Sequence, residues 1–467
     1  MNNKVIASGI WFTIGNFIVR GIGFLTTPIF TRLLTKSEYG DYNNFFTWMT
    51  IALIVTSLNL EASLIRARFD FEKELKSYVS SMVILSSLST LIWFGVVIIW
   101  KSWFVNWFAI DFKYICCMFI YLFFYPIINL FQTMERFEYK YKWTVAISLI
   151  VAITTSLVSV ILVYLLPNHL TGRIIGYTIP IGIIGMCLIV YFILSRPSIK
   201  ISYWKYALPF TLPFIPHLLA MNLLSGMDRL MIKQYCGAED LAIYSLAYTC
   251  GSIITILVAS INSAFSPWLG EMLSQKNYKT INKMSIPYVA AFCYCAGGAI
   301  LIIPEILFIL GGKPYIEAQY VMPPVAASTI LQFIYCMYVN VEQYEKKTKL
   351  MAVASISSVI INYILNFIFI SQFGYIAAAY TTYVSYLVLM VLHMLIVNRI
   401  GKSIVYKNKK ILILALSISG LMFATTFLMD KILIRYIIVI FYFVFGCYFI
   451  YKNKLLVKKM IKRSSEN

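Results

Sequence analysis

The chain has 467 residues, of which 60% are hydrophobic and only 12% are charged. Soluble domains carry roughly a quarter charged residues, so this composition excludes a water-soluble surface and makes lipid the solvent for much of the exterior. The formal net charge of +20 does not indicate nucleic-acid binding, because the basic residues fall in short gaps between apolar runs.

A membrane-spanning helix needs about 20 mainly apolar residues, and the sequence predicts fourteen such spans. In chain order they are 7–31, 44–64, 78–100, 114–133, 144–166, 172–195, 207–232, 241–265, 286–310, 320–341, 350–371, 374–397, 411–428 and 433–451. The first run is too long for the apolar core of a signal peptide, so it is interpreted as the first span. The predicted fold is an all-α integral membrane protein.

The basic residues predict the orientation of these spans. If the N-terminus lies in the cytoplasm and the spans alternate, most of the 39 lysines and arginines fall in cytoplasmic segments, as the positive-inside rule requires. Both termini are therefore expected on the cytoplasmic side, with the basic tail after the last span.

The chain contains an internal duplication. The segment Glu135-Arg-Phe-Glu-Tyr-Lys-Tyr-Lys142 recurs as Glu342-Gln-Tyr-Glu-Lys-Lys-Thr-Lys349, each time after the fourth span of its half. The repeated unit has six spans, an even number, so the repeat is parallel. We expect two pseudo-symmetric six-helix lobes around a central cavity, plus two C-terminal helices. The predicted divisions are 1–200, 201–400 and 401–467.

Arg20 lies near the middle of the first span. A charge at that depth costs at least about 2.5–3.5 kcal/mol, so Arg20 is expected to face the bundle interior or water. Thr13, Asn16, Thr27 and Thr31 lie on the same helical face as Arg20, because neighbouring members of this set are three, four or seven residues apart. The pattern predicts a substrate-binding face, and the alternative is a structural arginine bonded to backbone carbonyls.

Span 7 breaks the apolar pattern differently, with Pro209, Pro213 and Pro216 within eight residues. Prolines kink helices, and irregular backbone at membrane depth is tolerated where it lines a cavity. The repeat maps Arg20 onto His217, which makes His217 a second substrate-binding candidate. A lone membrane histidine can equally be a satisfied hydrogen-bonding residue.

Other polar residues of the spans support weaker hypotheses. Arg32 and Arg229 occupy equivalent positions at the outer ends of spans 1 and 7. Each could contact the substrate or act in gating, or it could simply extend its charged group into the membrane interface. Asp228 and Glu61 are candidates for ion coupling or gating, although local pairing with neighbouring arginines is the favoured interpretation. His393 in span 12 is interpreted as structural.

Catalytic and metal chemistry find little support in the sequence. It has no phosphate-binding loop with a Walker lysine, and its three histidines do not suggest a catalytic triad. The nine cysteines lack zinc-site spacing and mostly lie in apolar runs. We therefore expect no enzyme activity, no catalytic residue, no metal and no cofactor. Coupling to protons or sodium remains open.

The segment Pro28-Ile-Phe-Thr-Arg-Leu-Leu-Thr-Lys-Ser-Glu-Tyr-Gly-Asp-Tyr42 is similar to the opening turn of Wzx-type O-antigen and capsule repeat-unit flippases. These belong to the multidrug/oligosaccharidyl-lipid/polysaccharide (MOP) exporter superfamily. The resemblance continues through Asp228-Arg-Leu and Ala242-Ile-Tyr244, and covers nearly the whole chain.

The resemblance implies translocation of an undecaprenyl-diphosphate-linked oligosaccharide to the outer leaflet of the bacterial cytoplasmic membrane. The implied partners besides membrane lipid are a polysaccharide polymerase and a chain-length regulator. In this interpretation Arg20 is the main diphosphate or acidic-sugar contact. The alternatives are a lipid II flippase and a multidrug/cation antiporter of the same superfamily. A membrane glycosyltransferase is disfavoured because the predicted outer loops are short.

Overall fold

The structure is a computed structural model that describes residues 3–138, 141–195, 199–345, 347–402 and 404–452. These residues are almost entirely helical and contain no strand. In chain order the α-helices of the described part are α1 (Asn3–Leu33), α2 (Lys36–Thr56), α3 (Leu64–Asp70), α4 (Leu75–Ile99), α5 (Lys101–Phe108), α6 (Phe112–Phe137), α7 (Tyr141–Leu165), α8 (His169–Ser195), α9 (Ile201–Thr211), α10 (Ile215–Tyr235), α11 (Ala238–Ser274), α12 (Tyr278–Leu301), α13 (Ile303–Gly311), α14 (Met322–Tyr344), α15 (Thr348–Phe373), α16 (Tyr375–Val397), α17 (Asn408–Ala424) and α18 (Ile432–Lys452).

The fold confirms a multi-pass membrane protein. Within the described residues, ten helices are long and apolar enough to cross a membrane, or up to twelve if each of two bent helix pairs is one span. The first and last predicted spans coincide with α1 and α18, and every other predicted span overlaps one of these helices or pairs. The fourteen-span prediction is therefore consistent with the helices that form.

Two spans are broken where the backbone cannot continue a regular helix. Lys36–Thr56 and Leu60–Asp70 meet at an angle of 47°, and Leu58 and Asn59 between them have φ values of 53° and 50°. Left-handed residues end an α-helix, so the bend is fixed by this pair.

The second break lies in predicted span 7, as its prolines indicate. Pro209 lies inside α9, while Pro213 belongs to a short 3₁₀ turn, Leu212–Phe214, that separates α9 from α10. Pro216 occupies the first turn of α10, where its missing N–H would be unpaired in any case. The sequence thus predicts the irregularity of this span correctly.

The chain divides into two compact units. Unit 1 comprises Met1–Ser245 and Ser355–Ala378, and unit 2 comprises Leu246–Ala354 and Ala379–Asn467. The predicted division at residues 200 and 400, with a cavity between two lobes, stays a prediction.

Unit 1 is held together by close helix packing and by satisfied backbone groups. A Cβ added at Gly172 of α8 would come within 2.5 Å of the carbonyl oxygen of Leu162 in α7. Such small residues allow membrane helices to approach closely. Pro126 of α6 has no N–H for the carbonyl of Leu122, and the hydroxyl of Thr90 in α4 donates to that oxygen at 3.4 Å.

Unit 2 contains stacked aromatic pairs and a buried arginine that is paired with a carboxylate. Phe292 of α12 and Phe333 of α14 stack with ring centroids 4.2 Å apart. The guanidinium of Arg435, which is 3% exposed, donates to the carboxylate of Glu305. A buried arginine needs such a partner, because an unpaired charge in a low-dielectric interior is costly.

The duplicated segment begins at the same place in each half. Glu135 lies in the last turn of α6 and Glu342 in the last turn of α14, and both side chains are buried. The repeat therefore marks helix ends as well as the loops that follow them.

Candidate functional site

The predicted cation in the first span is accessible. Arg20 lies in α1 and its side chain is exposed. Asn16 lies one turn earlier in α1, and His217 lies in α10, but both side chains are outside the part of the structure that is described. An exposed guanidinium within an apolar helix can offer charge-assisted hydrogen bonds to an anion.

The outer arginines differ in their surroundings. Arg32 is exposed, and its guanidinium donates to the carbonyl oxygen of Pro28 at 2.9 Å. Arg32 lies in the last turn of α1, where basic side chains interact favourably with the helix dipole. Arg229 in α10 is half-buried.

Asp228 is a buried carboxylate in α10, 1% exposed. It accepts a hydrogen bond from the hydroxyl of Tyr244 in α11, and its other oxygen accepts from the backbone N–H of Arg229 at 3.1 Å. Hydrogen bonds of this kind stabilise a buried carboxylate.

Glu61 lines a polar cavity of about 390 Å³ within unit 1. The cavity lies between α1, α6 and α7, and its lining residues are Gly15, Glu61, Asn129, Gln132, Thr133, Arg136, Thr144, Val145 and Ser148. The side-chain amide of Gln132 donates to the hydroxyl of Ser148 at 2.9 Å, which joins α6 to α7. A space of this size and polarity can hold several water molecules or a sugar-sized polar group.

The arginine that shares this cavity with Glu61 is distant in sequence. Arg66 pairs with Asp70 at 3.5 Å, and Arg68 lies over the ring of Phe69. Arg136 of α6 instead lines the cavity with Glu61, and it donates to the hydroxyl of Thr133 at 3.4 Å.

Three of the four α6 residues that line the cavity belong to a longer stripe that sequence reasoning missed. Tyr121, Tyr125, Asn129, Thr133 and Arg136 follow one another at steps of three or four residues, so they share one face of the helix. We call these five residues the α6 stripe. The periodicity was the available signal, but span 4 carries no mid-membrane charge to draw attention to it.

Aromatic rings extend the α6 stripe beyond Tyr121. Tyr121 stacks on Tyr125 with centroids 4.6 Å apart and on Tyr177 of α8 at 5.9 Å. Tyr177 contacts Tyr42 of α2 edge-on at 6.4 Å, and the Arg173 guanidinium lies 4.4 Å from the Tyr42 ring centroid. Tyr42 and Tyr121 are buried, whereas Tyr125, Tyr177 and Arg173 are half-buried, so only part of this aromatic group is open to a ligand.

A sequence profile described as "Polysaccharide biosynthesis protein" matches residues 5–273, more than half of the chain. The chain belongs to the polysaccharide biosynthesis protein family. This confirms the resemblance found in the sequence. A second profile, MatE, matches residues 213–368.

Curated relatives are similar over different lengths. "Lsg locus putative protein 1" of Haemophilus influenzae is 24% identical over 377 residues, which are 77% of this chain and 89% of that protein. The "probable low-salt glycan biosynthesis flippase Agl15" of Haloferax volcanii is 27% identical over 173 residues, which are 36% of this chain and 37% of that protein.

Two solved membrane transport proteins share the fold of this chain at low sequence identity. The lipid II flippase MurJ in an inward closed conformation matches with a TM-score of 0.73 and 15% identity, over 95% of this chain and 99% of MurJ. An inward-facing multidrug resistance MATE family transporter matches with a TM-score of 0.62 and 13% identity, over 85% of this chain and 98% of the transporter.

Proposed function

We propose that this protein is a flippase that moves an undecaprenyl-diphosphate-linked oligosaccharide repeat unit from the cytoplasmic to the outer leaflet. The main support for this proposal is the match to the polysaccharide biosynthesis protein family over residues 5–273. The name of the Haloferax relative, a probable glycan biosynthesis flippase, supports the class of reaction. The fold, shared with a lipid II flippase and with MATE transporters, supports transport by alternating access.

Arg20 is the proposed contact for the diphosphate or for an acidic sugar. Its exposed guanidinium offers two parallel N–H donors, which match phosphate oxygens in geometry and charge. Asn16, His217, Arg32 and Arg229 are the secondary contacts that we propose. The polyprenyl chain stays in lipid, so only the head group has to cross the membrane in water.

Tyr125, Asn129 and Arg136, the half-buried and exposed members of the α6 stripe, are the proposed surface for the sugars. Tyr125 and Asn129 are half-buried, so each offers a ring face or an amide without being fully exposed to lipid. The stripe ends at the cavity of Glu61 and Arg136, which provides polar groups for hydroxyls. Weak contacts spread along a helix suit a translocated substrate better than one tight pocket would.

The setting follows from the proposed reaction. We place the protein in the bacterial cytoplasmic membrane with both termini in the cytoplasm, and we expect a polymerase and a chain-length regulator to act on the translocated units. Asp228 and Glu61 are proposed to take part in ion coupling or gating, with protons or sodium as the ion.

Deletion of the gene tests the function. Lipid-linked repeat units should accumulate on the cytoplasmic leaflet and surface glycan should fall, both reversed by a plasmid copy. Normal surface glycan together with no accumulation would overturn the proposal.

A lipid II flippase is the alternative that one observation favours, namely the TM-score of 0.73 with MurJ. Complementation separates the two. A lipid II flippase would rescue cells depleted of their own lipid II flippase, whereas a repeat-unit flippase would rescue only glycan export. A cation antiporter is less compatible with an exposed arginine in α1.

A further inference from the structure

A large apolar pocket lies within unit 1, between α2, α4, α5 and α6. Its volume is about 680 Å³, within the range of about 300–1,000 Å³ that is typical of ligand pockets. The hydroxyl of Thr56, which lines it, is bonded to the carbonyl oxygen of Ala52 in its own helix at 3.0 Å. Most other lining side chains are aliphatic or aromatic, and five are tryptophans: Trp48, Trp93, Trp100, Trp103 and Trp107. A hydrocarbon chain is therefore the ligand chemistry that the interior fits.

The short helix α5 borders the pocket and is amphipathic. Trp103 and Trp107 line the pocket from one face of α5, and Ser102 and Asn106 are exposed on the next face. Helices that combine tryptophans with a polar face lie in the interface between membrane and water. The pocket therefore extends from that interface into the hydrocarbon layer.

Contacts with α2 fix the position of α5. The side-chain amide of Asn44, which is 1% exposed, donates to the carbonyl oxygen of Phe108 at 2.8 Å. This bond satisfies the end of α5, where Ala109 with a φ of 51° stops the helix. Trp48 packs on Trp107 and Phe108, with ring centroids 4.9 and 4.4 Å apart. The pocket is thus formed by the protein before any ligand binds, which favours binding.

The depth of the pocket matches one leaflet of a bilayer. Trp48 and Thr56 of α2 both line it, and they lie about 12 Å apart along the helix at about 1.5 Å per residue. Half of the hydrocarbon core of a membrane is about 15 Å thick. An acyl chain of a phospholipid fits this depth, whereas an undecaprenyl chain is much longer than one leaflet is thick.

A cation lies beside the tryptophans of the pocket. Lys101 stands between two lining tryptophans in the sequence, and its side chain is exposed. Its Nζ lies 4.4 Å from the centroid of the Phe112 ring. In the described part of the chain no carboxylate forms an ion pair with Lys101, and Asp111 pairs with Lys113 at 3.8 Å. A lysine at the membrane interface attracts anionic lipid head groups.

We propose that this pocket binds an anionic phospholipid, with an acyl chain between α2, α4, α5 and α6 and the head group at Lys101. In the predicted orientation this end of α4 faces the outside, so the lipid belongs to the outer leaflet. The bound chain packs against α2, α4 and α6 together and stabilises unit 1, because it binds only the folded protein. The inference does not depend on the proposed function.

The internal repeat does not duplicate the site. In the second half α13 follows α12, as α5 follows α4 in the first half. The sequence of α13 contains no tryptophan, lysine or arginine, and it includes Glu305. A carboxylate repels an anionic head group, so the second half offers no equivalent of Lys101 on this helix.

Brominated lipids test the site directly, because bromine on an acyl chain quenches tryptophan fluorescence on contact. Five of the nine tryptophans line the pocket. In the full chain in detergent micelles, brominated phosphatidylglycerol should quench saturably, with about fivefold higher affinity than brominated phosphatidylethanolamine. Quenching that rises in proportion to lipid and is equal for the two lipids would overturn the proposal, because it would indicate only the lipid that surrounds any membrane protein.

Variants separate the acyl chain from the head group. Ala52→Phe places a ring in the pocket and should abolish saturable quenching by both lipids. Gly95→Phe is the matched control, because it adds the same ring to α4 where a Cβ has no neighbour within 4 Å. Lys101→Gln should keep saturable quenching but lose the preference for phosphatidylglycerol. Saturable quenching retained in folded Ala52→Phe would overturn the chain site, and an unchanged preference in Lys101→Gln would overturn the head-group contact.

Competition identifies the occupant. Unbrominated phosphatidylglycerol should restore the fluorescence, and undecaprenyl phosphate should do so only at several-fold higher concentration. Restoration by undecaprenyl phosphate at the lower concentration would overturn the assignment to a phospholipid. These measurements involve no transport, so their failure would leave the proposed function intact.

Discussion

Gly176 of α8 lies against Ser159 of α7 so closely that a Cβ at Gly176 would be 2.3 Å from the Cα of Ser159. Gly172 lies one turn earlier on the same face, which gives the small-xxx-small spacing of tightly packed membrane helices. The contact joins two helices of unit 1, and α7 also packs on α1, which carries Arg20. Helix packing and the position of the proposed substrate contact are thus linked.

Gly176→Val should therefore destabilise the protein. The added side chain forces α7 and α8 apart, and overpacking of this kind costs about 1–3 kcal/mol. Thermal unfolding of the purified protein measures the loss. Gly95→Val is the matched control, because a Cβ at Gly95 has no neighbour within 4 Å, and it should change the melting temperature little. Equal loss in both variants would contradict the packing argument.

Arg20→Ala should impair glycan rescue without reducing the amount of protein in the membrane. Loss of a hydrogen bond to a charged group costs about 1.5–3 kcal/mol, which corresponds to roughly a ten- to hundredfold slower export. Arg66→Ala is the control, since Arg66 is an exposed arginine already paired with Asp70. Loss of the Arg20→Ala protein itself would favour a structural arginine instead.

Glu61 and Arg136 should show energetic coupling. Arg136→Gln removes the cation from their common cavity and leaves the Glu61 carboxylate without a neighbouring positive charge. This single variant should therefore lose more free energy of unfolding than the double variant that also carries Glu61→Gln. We expect a coupling energy of about 1 kcal/mol in a double-mutant cycle of unfolding free energies. Strict additivity of the two single changes would show that the two side chains do not interact.

Lys200 should make stability fall at alkaline pH. Its ammonium donates to the carboxylate of Glu74 at 2.7 Å, and hydrogen bonds to Glu74 and Tyr203 raise the pKa of Lys200 above 10.5. Because the pKa is raised in the folded state, the charged form of Lys200 contributes its full stabilisation below the unfolded pKa. That stabilisation is lost as pH rises through the folded pKa. The melting temperature should decline above about pH 10.5, and Lys200→Met should reduce that decline.

The spans were predictable because their apolar surface has to meet lipid whatever their neighbours are. The length and hydropathy of each run locate α4, α6 and α7 to within a few residues. The three prolines of span 7 likewise predict a break, because proline removes a backbone donor wherever it occurs.

The partners of buried polar groups were not predictable in the same way. Glu61 and Arg136 lie 75 positions apart in the sequence, and Glu342 and His393 are 51 apart. Which helices pack side by side is decided by side-chain fit along whole spans, and periodicity within one span does not contain that information. The sequence predicts a structural role for His393, but only the structure identifies Glu342 as its partner.

Translocation in vesicles tests the central claim most directly. The purified protein would be reconstituted with an undecaprenyl-diphosphate-linked oligosaccharide, and a membrane-impermeant lectin would report how fast the sugar reaches the opposite leaflet. The account predicts protein-dependent translocation that is slowed in Arg20→Ala and retained in Arg66→Ala. Translocation by the wild type that is no faster than in protein-free vesicles would contradict it.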